Sequence, residues 1–372
     1  MTAPAPSTPS ASAGAASPTT TTTTVPTQRS WGSRVISALL TQRVVLLAVL
    51  IVLLVAVMTS LDAAGALSGA YNADYLAAAL ISAVPLALLG LAQLIVIASG
   101  RGGIDLSVGA IVSLTGIVFG YLYGVANVPL VVAIVLTVLA GAVCGAINGI
   151  LVSYIGFPAL IATLATFYMY RSLALVLSGQ KPISSPQIQD FYSAASAVEL
   201  PLIGGALPLV PLGVFTFLLP AVVIVWVLLN KTTWGRRIYA IGTNDTAAVW
   251  AGIATRPTRA SAYVISGAIS SIVAVYTVAQ FASARPDAGT SGNGMALPAI
   301  TIAVLGGVAI TGGIGRVAGI VLATVLVVWL NAGILLLVPG NEGTQMQLFA
   351  LGAVLIFAAL LNGLTKRRFG GI

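Results

Sequence analysis

The stretch VVLLAVLIVLLVAVM, residues 44–58, carries no charge and shows no apolar–polar alternation. Hydrocarbon offers the backbone no partner but itself, so a chain that crosses it does so as helices or as a closed barrel. Runs of this kind recur to the end of the chain, and barrel strands would show a two-residue alternation that is missing here. Of the 372 residues, 58% are hydrophobic and 6% charged, whereas soluble domains are about half apolar and about a quarter charged. The fold class expected is an all-α polytopic membrane protein.

At about 20 apolar residues per crossing, ten transmembrane helices fall near 43–60, 75–99, 103–124, 129–153, 158–178, 208–230, 260–283, 296–313, 316–338 and 346–363. The first run is too long and too far from the start to read best as a signal-peptide core. Thirteen of the sixteen basic residues lie before the first run or in alternate loops, among them Arg101, Lys231, Arg236, Arg237, Arg256, Arg259 and Arg316. Six of the eight acidic residues fall in the opposite set of loops. Basic loops stay in the cytoplasm, so both termini are expected there. Residues 1–28, rich in Pro, Ala, Ser and Thr, have no apolar face and read as a disordered cytoplasmic tail. The remainder, 29–372, is expected to form one transmembrane domain with a long outer loop at 179–207 and a long inner loop at 231–259.

The net charge of +8 is distributed for orientation rather than gathered into a nucleic-acid face, so lipid is the expected contact and nucleic acid is not. With no histidine and eight acidic residues, the chain has little material for a metal site or a proton relay. There is no P-loop and no GxSxG. No catalytic residue, metal or bound cofactor is expected. The one cysteine, Cys144, sits in LAGAVCGAING and reads as a small packing residue.

Polar residues inside apolar runs are costly and point to a pathway or a packing bond. Asn148, Thr163, Thr166, Arg171, Gln280 and Thr301 are the candidates for a solute pathway, with 180–191 and 285–293 as its outer rim. Arg171 should face the bundle interior or a water-filled vestibule, or reach the outer headgroups. SGRGGIDLSVGA, residues 99–110, places Arg101 and Asp105 among glycines between two spans. Asp105 is expected to cap the next helix or to pair with Arg101. In the inner loop, Asn244 or Asp245 could cap a short helix over 246–253. GGIDLSVGA at 102–110 is echoed by GGIGRVAGI at 312–320, and Gly is abundant enough that chance accounts for much of the likeness.

Six stretches in order, GGIDLSVGA (102–110), the run from Gly141 to Ile183, WGRRIYAIGTN (234–244), AAVWAGI (247–253), YVISGAIS (263–270) and VLGGVAITGGIGRVAGI (304–320), resemble the permease subunits of bacterial ABC importers of the ribose type. The resemblance implies a ten-span bundle in the bacterial cytoplasmic membrane that pairs with a second permease, two ATP-binding-cassette subunits and an external solute-binding protein. ATP and Mg would be used by the partners. It also implies that Arg236, Asn244, Asp245, Ala247, Ala248 and Gly252 belong to a coupling loop, and that Gly102, Gly103, Asp105, Gly312 and Gly313 are a structural signature. The solute implied is a sugar or related small polar molecule, with nucleosides, a quorum-signal sugar derivative or branched-chain amino acids as alternatives. An ion-driven secondary transporter is the rival reading. The chain departs from the family pattern at Thr246 and Val249, where an acidic residue often followed by a basic one is usual in the inner-loop helix, and at Ala296 and Pro298, where acidic residues are usual just before the glycine-rich span.

Overall fold

The computed structural model describes residues 42–198, 208–292 and 294–369. The tail at 1–28 and the middle of the outer loop at 199–207 lie outside the described residues. Among those described, nine helices are long and apolar enough to cross a membrane, and a shorter apolar helix accompanies them. The spans are α1 (Arg43–Ala63), α2 (Ala73–Ala98), α3 (Val108–Phe119, prolonged by a π-helical turn to Val125), α4 (Leu130–Ile150, prolonged likewise to Ile155) and α5 (Ala159–Leu177). After a short outer helix α6 (Pro186–Asp190) come α7 (Leu219–Lys231), the inner-loop helices α8 (Thr233–Thr243) and α9 (Asp245–Trp250), α10 (Thr255–Phe281), the short α11 (Ala296–Leu305), α12 (Val317–Leu337) and α13 (Asn341–Phe369).

At the centre, α2 and α10 cross antiparallel: Tyr276 donates to the Ile81 carbonyl at one end, and Arg259 to the Ser99 carbonyl at the other. Both are buried over 78% of their apolar windows, against 11% for α1, α7 and α13, so the former are the core and the latter the rim. Lipid tails are as apolar as Leu, so helices in a membrane associate through close packing of small residues rather than hydrophobic drive. Gly141, Gly145 and Gly149 supply that on α4. A Cβ at Gly149 would lie 2.7 Å from the Ala260 carbonyl oxygen, and one at Gly145 would lie 3.0 Å from the Val264 Cα, both on α10.

Packing repeats in an inverted sense. α10 lies along α2, α3 and α4, while α2 lies along α10, α11 and α12; α3 packs on α5, and α11 on α13. The units α2–α5 and α10–α13 therefore correspond in packing with opposite chain directions, an arrangement found in many transporters. In each, the first long helix is followed by an irregular segment and then a shorter helix. The echo between 102–110 and 312–320 is not this repeat, because the first stretch leads into α3 and the second into α12.

Two of the ten crossings expected from the sequence differ from the continuous helix read there. The third begins only at Val108, after an extended stretch at 103–105 and a turn. The eighth is helical for only 10 residues, about 15 Å, half the thickness of a hydrocarbon core. Ala284 pairs with Ile183 through two hydrogen bonds of 2.9 Å at the outer face, and Gly313 donates to the Ala98 carbonyl at the inner face.

Candidate coupling and translocation site

At the inner end of α2 the backbone turns through three consecutive left-handed residues, Gly100 (φ 81°), Arg101 (φ 57°) and Gly102 (φ 63°). Gly100 is required for a second reason: an added Cβ would lie 2.8 Å from the Cα of Gly242. Gly312 and Gly313 (φ 95° and 76°) close on the same spot, with Gly312 against Gly100 and Gly313 against Thr243. A Cβ on Gly103 would lie 2.7 Å from the Val96 carbonyl oxygen, while Gly102 has open space and is needed for its φ alone. The turn between α2 and α3, the end of α8 and the loop before α12 thus meet at backbone contact.

Four residues beyond Arg101, Asp105 is fully buried. One carboxylate oxygen accepts from the Ser107 N–H (3.0 Å) and the Ser107 hydroxyl (2.6 Å), and the other from the Ser266 hydroxyl on α10 (3.0 Å). Gln93 on α2 holds its backbone from both sides, donating to the Asp105 carbonyl at 2.6 Å and accepting its N–H at 3.3 Å. The network runs outward: the Asn148 side-chain amide on α4 donates to the Ser107 hydroxyl (2.8 Å), and Thr166 on α5 donates to the Asn148 side-chain oxygen Oδ1 (2.7 Å). Thr163 donates to the Ile104 carbonyl at 3.2 Å and to Ala159 of its own helix at 2.8 Å. A satisfied network of this kind, at membrane depth, fixes one packing of the segment against four helices. Among the described residues no cation pairs with Asp105. The bonds to Ser107 close a local turn at the N-cap residue of α3 and do not cap the helix itself; the pairing with Arg101 does not form.

Arg101 instead pairs with Asp245, the first residue of α9. The other Asp245 oxygen takes the Arg259 guanidinium at 2.7 Å. Arg259 is 1% exposed, and its donors also reach the Ser99 carbonyl at 3.3 and 3.4 Å. A buried charge needs this much partnering.

The inner loop forms two helices where the sequence had suggested one. Thr232 caps α8 by accepting the Gly235 N–H (3.2 Å), and Asn244 caps α9 by accepting the Ala247 N–H (2.9 Å). Buried Gly235, Ile238 and Ile241 recur every third residue along α8, with Arg236 and Arg237 exposed. On α9, Ala248 is buried while Ala247, Val249 and Trp250 face out. Trp250 is 87% exposed, and Gly252 (φ 77°) follows in open space. Burial raises the Tyr239 phenol above the usual tyrosine range, keeping it a donor to the Gly315 carbonyl at 2.9 Å.

Of the remaining pathway candidates, Thr301 is buried and bonds the Leu297 carbonyl of its own helix (3.0 Å), and Gln280 is half-buried. Arg171 lies on the exposed side of α5, toward its outer end, alongside Tyr168 and Ser172. Cys144 is buried, its carbonyl accepting from Tyr170 at 2.9 Å. The outer-rim segments do meet, through Ile183 and Ala284. Sequence reasoning missed Gln93 and Ser266 within longer apolar runs, and the Gly141, Gly145, Gly149 seam, whose four-residue spacing was legible.

The family described as branched-chain amino acid transport system / permease component matches residues 75–359. The chain belongs to this permease family. Curated relatives include the autoinducer 2 import system permease protein LsrD of Yersinia enterocolitica, 35% identical over 72% of this chain and 77% of its own length. The proteins of the same description from Yersinia pseudotuberculosis and Yersinia pestis are each 36% identical over the same shares. No solved structure matches. The chain is thus a permease component of an importer, a multi-pass protein of the bacterial inner membrane, as the six motif stretches implied.

Proposed function

We propose that this permease is driven by ATP-binding-cassette partners that seat on α8 and α9, and that it admits a small, hydroxyl-rich solute handed over by an external binding protein. The observation that carries the reading is the tip of α9. Trp250 and Val249, 87% and 56% exposed, stand in a helix held by its cap and its ion pairs at the basic end of the bundle. A large aromatic left exposed on a helix pair that also exposes Arg236 and Arg237 is characteristic of a docking surface rather than of a solvated turn. The assembly inferred is two such ATPases, which hold the ATP and Mg, beneath a pair of permeases that is either two copies or two homologues.

The solute class follows from the autoinducer 2 import permeases among the relatives and from the ribose-type motifs. The family's own description makes branched-chain amino acids the second candidate. Asn148, Thr163 and Thr166 would stand behind the pathway as its packing, and Arg171, Gln280 and the outer rim nearer its surface.

The test is a gentle-detergent pull-down of the tagged chain, native and with Ala247→Glu and Trp250→Glu, both at exposed positions. An ATPase should accompany the native chain and be lost from the variant while the variant's melting temperature is unchanged. A native chain that brings down no ATPase contradicts the reading.

A further inference from the structure

Left-handed backbone suits Gly100 and Gly102, whereas Arg101 between them is strained. By backbone preference alone a third glycine would serve better there. A side chain that persists in a strained position does so because the surroundings hold it. Arg101 is held by Asp245, and Asp245 is held in turn by Arg259. One carboxylate, at the head of α9, is therefore clamped between a cation from the turn after α2 and a buried cation from α10.

The clamp and the buried network share the same segment. α10 grips 99–107 at both ends, through Arg259 to the Ser99 carbonyl and through Ser266 to Asp105. Residues 259 and 266 are about two helical turns apart and so project from one face. From Asp105 the hydrogen bonds continue through Ser107 and Asn148 to Thr166 on α5. The glycine contacts of Gly100 with Gly242 and Gly312 leave no slack on the other side of the turn.

We propose that Arg101, Asp245 and Arg259 form the coupling latch of the permease: positioning residues that carry a displacement of α9 into segment 99–107, and through Asp105 into α4 and α5. The latch rests on the reading that α8 and α9 receive the ATPase. It touches no solute and no nucleotide. Its role is to make the inner helix pair and the buried network move as one body.

The experiment uses the full chain with its co-purified ATPase in lipid nanodiscs, as native, Arg101→Gly, Asp245→Asn and the control Glu342→Gln, at an exposed position at the start of α13. Amide hydrogen exchange is followed with and without MgATP plus vanadate. Arg101→Gly removes the strain along with the side chain, so its melting temperature should hold or rise. In the native complex nucleotide should change exchange at both 233–250 and 99–107. In Arg101→Gly and Asp245→Asn the response at 233–250 should survive while that at 99–107 shrinks about tenfold, and the control should match the native complex. An undiminished response at 99–107 in both variants overturns the latch and leaves the importer reading standing. A marked fall in the melting temperature of Arg101→Gly makes Arg101 a structural brace and also overturns it. If the native chain captures no ATPase, the importer reading fails and the latch with it.

Discussion

Gly145→Ala is the smallest change that should open the centre of the bundle. An added Cβ would lie 2.8 Å from the Tyr263 carbonyl carbon and 3.0 Å from the Val264 Cα. Carbon atoms rest at about 3.5–4.0 Å, and both obstacles are backbone of α10, so neither can swing aside. The two helices must part by roughly 0.5–1 Å over the seam. Overpacking of this kind costs about 1–3 kcal/mol, and loosening the flanking contacts at Gly141 and Gly149 adds to it. Against that stands about 1 kcal/mol gained from replacing Gly by Ala within a helix. The net expectation is a loss of about 1–2 kcal/mol, read as a melting temperature lower by about 1–3 °C in detergent for a chain of this size. Gly352→Ala on α13 is the internal comparison, since nothing lies within 4 Å of its added Cβ; there only the helix gain remains, and melting should hold or rise. Equal melting of the two variants would refute the view that backbone contact between α4 and α10 holds the bundle together.

Asp105→Ala would leave three donors facing a vacated carboxylate and should cost about 2–4 kcal/mol, whereas Asp105→Asn keeps one acceptor oxygen and lets Ser266 reverse its bond, at about 1 kcal/mol; chemical denaturation of the two side by side checks the order. Burial raises the Tyr239 phenol, so the unfolded chain gives up its proton first. The resulting stability is whole below about pH 10 and declines as pH climbs toward the folded value. Tyr239→Phe should lose that contribution and make the alkaline decline shallower than in the native chain, which melting curves between neutral and strongly alkaline buffer would show. Trp250→Ala, at an 87% exposed position, should leave melting unchanged yet weaken ATPase capture in the pull-down.

Hydropathy placed the nine long apolar helices and the shorter one at Ala296–Leu305, because the cost of an unpaired amide in hydrocarbon leaves little choice of structure. It overran where the crossing is not helical. The run 296–313 reads as continuous apolar sequence, yet Gly306 and Gly307 end the helix at Leu305, and Gly307 then adopts a left-handed φ of 88°. The same measure hid α8, whose two arginines mark it as loop by composition, although Gly235, Ile238 and Ile241 define a helical face. Asn244 was legible as a cap because capping is local chemistry. The partner of Arg101 was not, because Asp105 is near in sequence while Asp245 is near only after α2, α8 and α10 have packed. Nor does a single sequence show that Asn148 and Thr166 meet Ser107, since that requires the relative depth of α4, α5 and the segment before α3.

The most direct measurement is solute accumulation by vesicles reconstituted with the permease and its co-purified ATPase, supplied in parallel with labelled autoinducer 2, ribose and leucine together with the external binding protein. Uptake of a hydroxyl-rich solute that requires internal MgATP and the binding protein, and that persists when ion gradients are collapsed, is the predicted result. Uptake by the permease alone, without ATP and abolished by an ionophore, would contradict the account.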